Sequence, residues 1–593
     1  MDAGFWATQL LTGLATAATL FVVAVGLSLV FGVTRIVNFA HGSLYMIGAY
    51  VAYALAERFV QGSAAMYWLC VLGAALAVAL IGAGLEVSLL RRVYRAPELL
   101  QLLLTFAVAL IADDLLLMIF GPEDLLASRV RGLRGGVEVF GERFPLYDLY
   151  IIALAPLIFG ALWLLLHRTR WGTLVRAATH DREMVAALGV NQAWLFTGAF
   201  ALGAFLAGLG GAMQLQREAI NLGMGISIIA EAFVVVVIGG MGSIAGAALA
   251  AVLIGVLQAV GIALFPQLTL VLTFLAMAVV LTFRPWGLLG KPELHARPPE
   301  LAVELPLRAL PRPLALGALV LLVLLAAAPA VMGPYGLGVL IDMLIAALFA
   351  ASLWLIMGPG GLVSFGHACY LGAGAYGVAL AVRYGAAPLP LAVAAGIGAA
   401  ALVSVVFGWL CVRVSGVYFA MLTLALAQIL WSVVFQWYDV TGGDNGIIGL
   451  WPEASGASRT GFYFVVLAVT AGALWLVERL QHSPFVHALK TARDAPLRAS
   501  AIGLSASRLR WLAFALAGTL AGLAGTLFAL HKGSVFPSAL AITRSIDALV
   551  MVLLGGLHSL AGAVVGAFAF VGLQTEILRH TDYWRLALGV LIV

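Results

Sequence analysis

Long apolar stretches, each about as long as a membrane-spanning helix, recur along the chain and are separated by short polar segments. Two of them run from Leu10 to Val33 and from Ala64 to Leu90. About 20 consecutive apolar residues are enough for a helix to cross a bilayer. Charged residues make up only 10% of the sequence, whereas roughly a quarter is usual in soluble domains. The pattern predicts an all-α polytopic membrane protein.

Short sequence blocks of the first half return in the same order in the second half. The block Ile36–Gly42 is matched by Leu362–Ala368, and the offset between matched blocks drifts only from 326 to 314 and then 316 residues. Loop insertions and deletions produce such drift in transporters built from internal repeats. The chain is therefore predicted to consist of two pseudo-symmetric halves. The other matched blocks are Leu104–Ala107 with Leu422–Ala425, Ala187–Asn191 with Ala501–Ser505, and Glu231–Gln258 with Asp547–Gln574.

The matched blocks and the composition between them predict four segments. The two halves are residues 1–290 and 337–593, separated by a cytoplasmic linker over 291–313 whose prolines and charged residues cannot lie in lipid. Residues 314–336 are mainly apolar and have no counterpart in the first half, which predicts one extra transmembrane linker helix. Since Val593 corresponds to Met277 by the last offset, the second half is expected to be truncated at its C-terminus.

Basic residues cluster in alternate loops and so predict the orientation of the chain. One cluster runs from Arg168 to Arg182, and its counterpart in the second half runs from Arg479 to Arg510. Loops rich in Arg and Lys face the cytoplasm. Each half is predicted to have about nine membrane segments, of which some could be re-entrant, so the first half starts outside and ends inside the cell. The extra helix then returns the chain to the outside before the second half begins. The two halves are therefore predicted to be parallel.

Each half has one long basic cytoplasmic loop that is predicted to form a short amphipathic helix ending at a glycine. The two loops are Trp171–Gly189 and Phe485–Gly503. A plain positive-inside loop would also be basic, so one such loop alone would favour that simpler interpretation. A matched pair in a tandem repeat instead favours helices that dock in the groove of a partner protein.

At this point the sequence resembles a known family, the permeases of Liv-type ABC importers for branched-chain amino acids, which also include urea and short-chain amide systems. The first half resembles the LivH-type subunit and the second the LivM-type subunit, so the chain resembles a fused LivH-LivM permease. The motifs that carry this resemblance are Gly26–Gly32, Ile36–Gly42 and Val237–Ser243 in the first half, and Gly361–His367, Arg493–Pro496 and Leu553–Gly556 in the second.

The resemblance implies a multi-pass permease in the bacterial inner membrane that moves branched-chain amino acids, or urea and short amides, by alternating access. It implies two cytoplasmic ABC ATPase subunits and a periplasmic substrate-binding protein as partners. The two basic loops would be the coupling helices that dock on the ATPases. The implied coupling residues are Arg176, Ala187, Gly189, Lys490, Ala501 and Gly503.

The chain itself has no recognisable site for ATP or for enzymatic chemistry. Its only Gly-Lys pair, Gly290-Lys291, lacks the glycine that a P-loop requires five residues earlier. Its three cysteines are isolated and have no histidine at metal-ligand spacing. We therefore expect no catalytic residue, metal or cofactor in this chain, no nucleic-acid partner, and ATP hydrolysis by partner subunits.

A few polar residues inside apolar segments are candidates for the substrate pathway, because polar groups are costly in lipid. Asn38, His41 and Ser43, with their counterparts Ser364, His367 and Tyr370, lie at a predicted helix break. They could contact a zwitterionic substrate or merely satisfy backbone carbonyls, and both interpretations stay open. The remaining candidates are Thr105 and Thr423, which more often bond to their own helix, and Glu231 and Asp547, which could cap a helix or contribute to a gate.

The leading hypothesis is a translocation pathway at the interface of the two halves, opened alternately by ATPases acting on the coupling helices. The alternative is an ion-gradient-driven secondary transporter or channel. That alternative requires ionisable groups in the pathway, and few matched central charges are present. A membrane-embedded enzyme is disfavoured, because no Ser/His/Asp or metal constellation occurs at helical spacing.

Overall fold

The structure is a computed structural model that describes residues 3–60, 62–94, 96–290, 312–385, 387–450 and 458–593. Its contacts divide the chain into two compact units, residues 1–292 with 581–593, and residues 293–580. Among the described residues, 13 helices are long and apolar enough to cross a membrane. The predicted class, an all-α polytopic membrane protein with two repeated halves, is confirmed.

The first unit consists of helices and one short hairpin. Its strands are β1 (Gly136–Val139) and β2 (Glu142–Pro145), paired antiparallel between α5 and α6. One π-helical turn, Glu86–Leu90, links α3 to α4. The helices are α1 (Ala3–Thr34), α2 (Ala40–Phe59), α3 (Ala64–Leu85), α4 (Arg91–Val93), α5 (Glu98–Phe120), α6 (Leu146–Arg168), α7 (Arg170–His180), α8 (Arg182–Ala187), α9 (Gln192–Met213), α10 (Met224–Gly239), α11 (Ile244–Leu264) and α12 (Thr269–Phe283).

The second unit repeats this order after one additional helix. Its two short strands, β3 (Ile447–Ile448) and β4 (Ser534–Val535), pair antiparallel. The helices are α13 (Arg312–Ala327), α14 (Pro334–Met357), α15 (Ala368–Gly385), α16 (Leu389–Cys411), α17 (Gly416–Gln436), α18 (Tyr438–Thr441), α19 (Arg459–Gln481), α20 (Pro484–Asp494), α21 (Pro496–Ala501), α22 (Ala506–Lys532), α23 (Ile542–Gly555) and α24 (Leu560–Leu578).

Small residues allow the central helices of each unit to approach closely. In the first unit α2 crosses α9 at Gly48, where an added Cβ would lie 2.4 Å from the Gly208 carbonyl oxygen. In the second unit α15 crosses α22 at Gly374, where an added Cβ would lie 2.2 Å from the Gly522 carbonyl oxygen. Close packing at small residues replaces the hydrophobic effect as the force that holds helices together in lipid. The same glycine contact therefore stabilises the centre of both repeats.

The last helix, α25 (Trp584–Ile592), belongs by sequence to the second repeat but is grouped with the first unit. It packs on α5, and the backbone N–H of Leu586 donates a 2.7 Å hydrogen bond to the Asp114 carboxylate. Asp114 thus caps the start of a helix that is distant in sequence, satisfying one of its free N–H groups. Asp113, next to it, lies 4.0 Å from the Arg585 guanidinium.

The segment between the repeats is only partly described. Residues 291–311 of the predicted linker lie outside the described residues. The predicted linker helix over 314–336 corresponds to α13 and a following 3-10 turn, Ala328–Ala330. The apolar run Leu316–Ala330 is shorter than the other candidate spans. Whether it crosses the membrane therefore stays a prediction.

Candidate functional site

The first basic loop folds into two consecutive short helices, α7 and α8. The Thr169 hydroxyl caps α7 by accepting a 3.0 Å hydrogen bond from the backbone N–H of Gly172. Asp181 caps α8 by accepting a 2.9 Å hydrogen bond from the N–H of Met184. Both residue types are favoured at helix starts, because their side-chain oxygens satisfy free N–H groups. We call residues 169–190 the first coupling segment.

The first coupling segment ends in a glycine with a left-handed backbone. Gly189 has φ +81°, and its N–H donates to the Ala186 carbonyl at 2.9 Å, while the N–H of Val190 donates to the Val185 carbonyl at 3.3 Å. This pair of bonds is the Schellman pattern, in which glycine is preferred because it has no Cβ. Gly189 and Ala187, which lies two residues before it, are both exposed.

The second basic loop has a similar construction 314 residues later, with Ala495 in place of the capping Asp181. Ser483, at the position of Thr169, caps α20 by accepting a 3.4 Å hydrogen bond from the N–H of Val486. Pro496 is the first residue of α21, a position where proline disturbs no helical hydrogen bond. Gly503 has φ +85° and donates to the Ser500 carbonyl at 3.0 Å. We call residues 483–504 the second coupling segment.

Both coupling segments expose an apolar residue directly before the terminal glycine. Leu188 is 75% exposed and Ile502, its counterpart, is 71% exposed. Ala187 and Ala501 are exposed beside them, and Arg176 is exposed on α7. Lys490, on α20, is partly exposed. Small and apolar exposed residues within a basic surface are typical of a protein-binding site.

The opposite face of each segment is buried in its own unit. Val175, Ala178 and Val185 pack with Leu29 and Phe196 in one buried cluster, which joins the first segment to α1 and α9. In the second segment the buried residues of α20 are Val486, Leu489 and Ala492. Each coupling segment is therefore bound firmly to the helices of its own unit.

An arginine in each unit links the coupling segment to the end of the first long helix of the repeat. Arg35, just after α1, donates a 3.4 Å hydrogen bond to the Thr179 carbonyl in the first coupling segment. In the second unit the direction is reversed, because Arg493 of the coupling segment donates a 2.6 Å bond to the Gly358 carbonyl after α14. Arg35 has φ +58°, and Gly361, its counterpart, has φ +64°.

The predicted helix break lies between the first two helices of each repeat. In the first unit the buried His41 ring makes a 3.0 Å hydrogen bond to the Val23 carbonyl. Thr105 accepts a 3.3 Å bond from the N–H of Phe39 and also donates to the Leu102 carbonyl of its own helix at 2.9 Å. Asn38 and Ser43 are buried nearby.

The second unit has a similar arrangement at its helix break. The His367 ring makes a 2.8 Å hydrogen bond with the Ser352 hydroxyl. Thr423 accepts a 3.1 Å bond from the N–H of Phe365 and donates to the Ala420 carbonyl at 2.6 Å. Ser364 and Tyr370 are buried beside them. Within the described part of the chain, several polar atoms at the two breaks have no hydrogen-bond partner, namely both amide atoms of Asn38, the Ser364 hydroxyl and the Nδ1 atoms of His41 and His367.

A polar cavity of about 230 Å³ lies between the helices of the first unit. Glu231 contributes to its wall from inside α10, beyond the first turn, and so does not cap that helix. Arg217, which also lines the cavity, pairs with Asp148 at 3.2 Å. The amide oxygen of Gln214 is buried at this cavity and has no partner among the described residues. Other polar lining residues are Thr16, Thr19, Tyr45, Glu218, Ser227 and Gln258.

A second cavity of about 230 Å³ occupies the equivalent place in the second unit. Asp547, the counterpart of Glu231, lies inside α23 at 4.0 Å from Arg544. Lys532 donates a 2.9 Å bond to Asp342 on another part of the wall. The rest of the wall is largely apolar and includes Ile345, Phe349, Leu371, Phe528, Met551 and Phe570.

Both cavities lie at the end of the unit that is remote from the coupling segment. The helix α9 begins just after the first coupling segment, and Gln214 follows its last residue. At 1.5 Å per residue, the 22 residues of α9 span about 33 Å, roughly one bilayer core. The helix α22 connects the second coupling segment to Lys532 in the same way over 27 residues.

Of the predicted pathway residues, Glu231 and Asp547 line these cavities, and the other eight do not. Sequence reasoning missed the cavity residues Arg217, Lys532 and Arg544. A feature of the sequence could have identified them: each is a charged residue at the end of an apolar helix or inside one. Each also lies between two matched blocks.

Comparison with protein families gives two matches along the chain. The model described as "Branched-chain amino acid transport system / permease component" matches residues 9–281 and again residues 335–593. Together the two matched ranges cover most of the chain.

Several characterised permeases are similar to parts of the chain. The high-affinity branched-chain amino acid transport system permease protein BraD of Pseudomonas aeruginosa is 30% identical over 299 residues, covering 48% of this chain and 96% of BraD. LivH of Escherichia coli K12 is 28% identical over 300 residues, covering 49% of this chain and 97% of LivH. LivM of the same strain is 29% identical over 280 residues, covering 42% of this chain and 64% of LivM.

Proposed function

Because the chain belongs to the family of permease components of branched-chain amino acid transport systems and contains two copies of its module, we propose that it is the complete membrane pathway of an ABC importer. In this proposal one polypeptide replaces two separate permease subunits. Two cytoplasmic ATPases supply the energy, and a periplasmic binding protein delivers the substrate across the bacterial inner membrane.

The observation that carries the proposal is the close likeness of the two coupling segments. Each has a capped helix, a second short helix, an exposed apolar residue and a terminal glycine with φ above +80°. A loop needed only for its positive charge would not require such similar backbones. Two nearly identical docking surfaces suit two similar or identical partners, as a pair of ATPases would be.

Movement of an ATPase would reach the membrane helices through the contacts of the coupling segments. The buried cluster around Val175 joins the first segment to α1 and α9, and the Arg493 bond joins the second to the end of α14. The helix break after α1 contains Asn38 and is followed by His41 in the first turn of α2, and the break after α14 contains Ser364 and His367. We place the flexing needed for alternating access at these breaks.

The printed names of BraD, LivH and LivM describe transport of branched-chain amino acids, and we extend that substrate class to this chain. The two cavities support a charged substrate, because both contain acidic and basic side chains. We assign Glu231 and Asp547 to the substrate pathway. Urea and short amides are the competing substrates. They carry no separate positive and negative groups that could pair with the charged side chains of the cavities.

The test is transport by the reconstituted complex. The chain is co-purified with ATPases and a binding protein of this family from the same organism, placed in vesicles and supplied with leucine, urea or acetamide. We expect leucine uptake that requires both ATP and the binding protein. Uptake driven by a proton or sodium gradient without ATP would instead support the secondary transporter, and ATP-driven uptake of urea alone would change the substrate class.

A further inference from the structure

The cavity of the second unit differs from that of the first in a way that suits an amphipathic ligand. We propose that the second cavity is the subsite that selects the branched side chain, while it holds the charged ends of the same amino acid. This inference rests on the proposed function and adds to it the place where side chains are discriminated.

The charged part of the second cavity can match both ends of a zwitterion. Arg544 and Lys532 provide positive charge for a carboxylate, and Asp547 and Asp342 provide negative charge for an ammonium group. The Arg544 side chain is 50% exposed and that of Lys532 42% exposed, so ligand and solvent can reach both. Charge-assisted hydrogen bonds of this kind are the stronger ones in proteins.

The apolar part of the same cavity lies directly beside these charges. The Arg544 guanidinium lies over the Phe528 ring, 5.8 Å from its centroid, so a charged group and an aromatic wall meet at one point. Leu371 and Phe570, on α15 and α24, are nearly buried and extend this wall. A ligand held by Arg544 would therefore place its side chain against apolar surface.

Three of the apolar positions of the second cavity are polar in the first cavity, which Leu20, Met224 and Ile228 also line. With offsets of 326 for the first two and 314 for the third, Ile345, Leu371 and Phe528 correspond to Thr19, Tyr45 and Gln214. Hydroxyl and amide groups at these three positions leave the first cavity with less apolar surface for an isobutyl side chain, which gains free energy only where it leaves water. Discrimination between side chains is therefore assigned to the second repeat.

The position of the cavity also suits a selective entrance. It lies at the end of α22 that is about 40 Å, at 1.5 Å per residue over 27 residues, from the second coupling segment. With the coupling segment in the cytoplasm, this end faces the side from which a binding protein would release substrate. Selection there would precede the energy-consuming step.

The experiment compares leucine with alanine in the reconstituted complex. In Phe528→Gln, which introduces the residue of the first cavity, we expect the ratio of kcat/KM for leucine to that for alanine to fall about tenfold or more. The control in the first cavity is Thr19→Ile, the reverse of an Ile345→Thr exchange in the second, which should leave that ratio within about twofold. Asp547→Asn should raise KM for both amino acids and leave the ratio unchanged.

Each outcome separates this inference from the proposed function. If the wild-type complex takes up leucine with ATP but Phe528→Gln keeps the wild-type ratio of kcat/KM for leucine to that for alanine, the second cavity does not select the side chain. The proposed importer function is then still supported. If Phe528→Gln cannot be purified as an intact complex, Ile345→Thr makes the same comparison with a smaller change. If Thr19→Ile alters the ratio and Ile345→Thr does not, the assignment to the second repeat is overturned. Absence of ATP-driven leucine uptake by the wild type contradicts the proposed function itself.

Discussion

The coupling segments and the cavities of the two repeats have diverged to very different degrees. The coupling segments share the cap of their first helix, their buried faces and their terminal glycines, Gly189 and Gly503. The cavities occupy equivalent places in the fold, and each has an acid at the same position, Glu231 or Asp547. The other side chains that line them differ in polarity. In this molecule the repeat symmetry is therefore retained at the surface that would bind two similar partners. It is lost where one asymmetric substrate would pass.

The largest effect is expected from proline at the terminal glycines. In Gly189→Pro and Gly503→Pro the residue can neither adopt a φ above +80° nor donate the N–H that ends the segment. The cost is about 3 kcal/mol, localised in an exposed segment. ATP-driven leucine uptake should fall at least about tenfold in either variant, while the purified protein keeps its helical content.

The control for this pair is Gly141→Pro. Gly141 also has a positive φ, +87°, and an added Cβ would touch nothing within 4 Å, but it lies in the turn of the β1–β2 hairpin. We expect this variant to transport at close to the wild-type rate. Full-rate uptake by Gly189→Pro and Gly503→Pro would contradict the assignment of these loops as coupling segments.

A smaller effect is expected from placing a charge on the exposed apolar residues. Leu188→Asp and Ile502→Asp change side chains that are more than two-thirds exposed, so the fold should tolerate them. Loss of one apolar contact at the centre of an interface costs about 1 to 2 kcal/mol, or roughly tenfold in affinity. Retention of the ATPases during purification should fall equally for both variants.

Leu126→Asp is the control for these two, because Leu126 is equally exposed but lies in the loop before the β1–β2 hairpin. It should leave ATPase retention unchanged. A loss confined to Leu188→Asp or to Ile502→Asp would show that the two segments, despite their similar backbones, do not bind equivalent partners.

The arginine links should differ between the repeats. Arg493→Ala removes a 2.6 Å charged hydrogen bond to the Gly358 carbonyl, which is worth about 1.5 to 3 kcal/mol. Arg35→Ala removes a longer bond of 3.4 Å to the Thr179 carbonyl. We expect more ATP hydrolysed per leucine transported in Arg493→Ala, by several-fold, and a smaller increase in Arg35→Ala. Equal ratios in both variants and the wild type would mean that these links do not transmit motion.

Much of this arrangement could be predicted from the sequence, because membrane helices and repeats leave local signals. The apolar runs predict the helical membrane class, and the matched blocks identify both basic loops. The terminal glycines were predicted for the same reason, since a left-handed helix end requires a residue type that the sequence displays directly.

The cavities could not be predicted, because they depend on which helices meet. Asp342 and Lys532 are 190 residues apart, and only the packing of α14 against α22 brings them within 2.9 Å. The sequence allows Glu231 and Asp547 to cap α10 and α23, but both lie beyond the first helical turn. The placement of α25 against α5 was also missed, because an apolar pattern shows that a helix is buried without showing its partner.

The smallest predicted effect concerns that last helix and tests a third difference between the repeats. Asp113 and Asp114 have no acidic counterparts in the second half, where Trp431 falls at the place of Asp113. In the structure Asp114 accepts the 2.7 Å bond that caps α25. Asp114→Asn keeps an acceptor oxygen and Asp114→Ala does not, so the Ala variant should be less stable than the Asn variant by about 1 kcal/mol.

Thermal unfolding of the two variants in the same detergent measures this difference without any assumption about the charge of Asp114. The comparison isolates the cap, because both substitutions remove the Asp114 carboxylate and both leave the 4.0 Å pair between Asp113 and Arg585 in place. A lower midpoint for Asp114→Ala would mean that the acids of the first repeat serve to hold the final helix. Equal midpoints would mean that α25 is held by its apolar face alone, where Gly589 packs against Ala107 and Ile111.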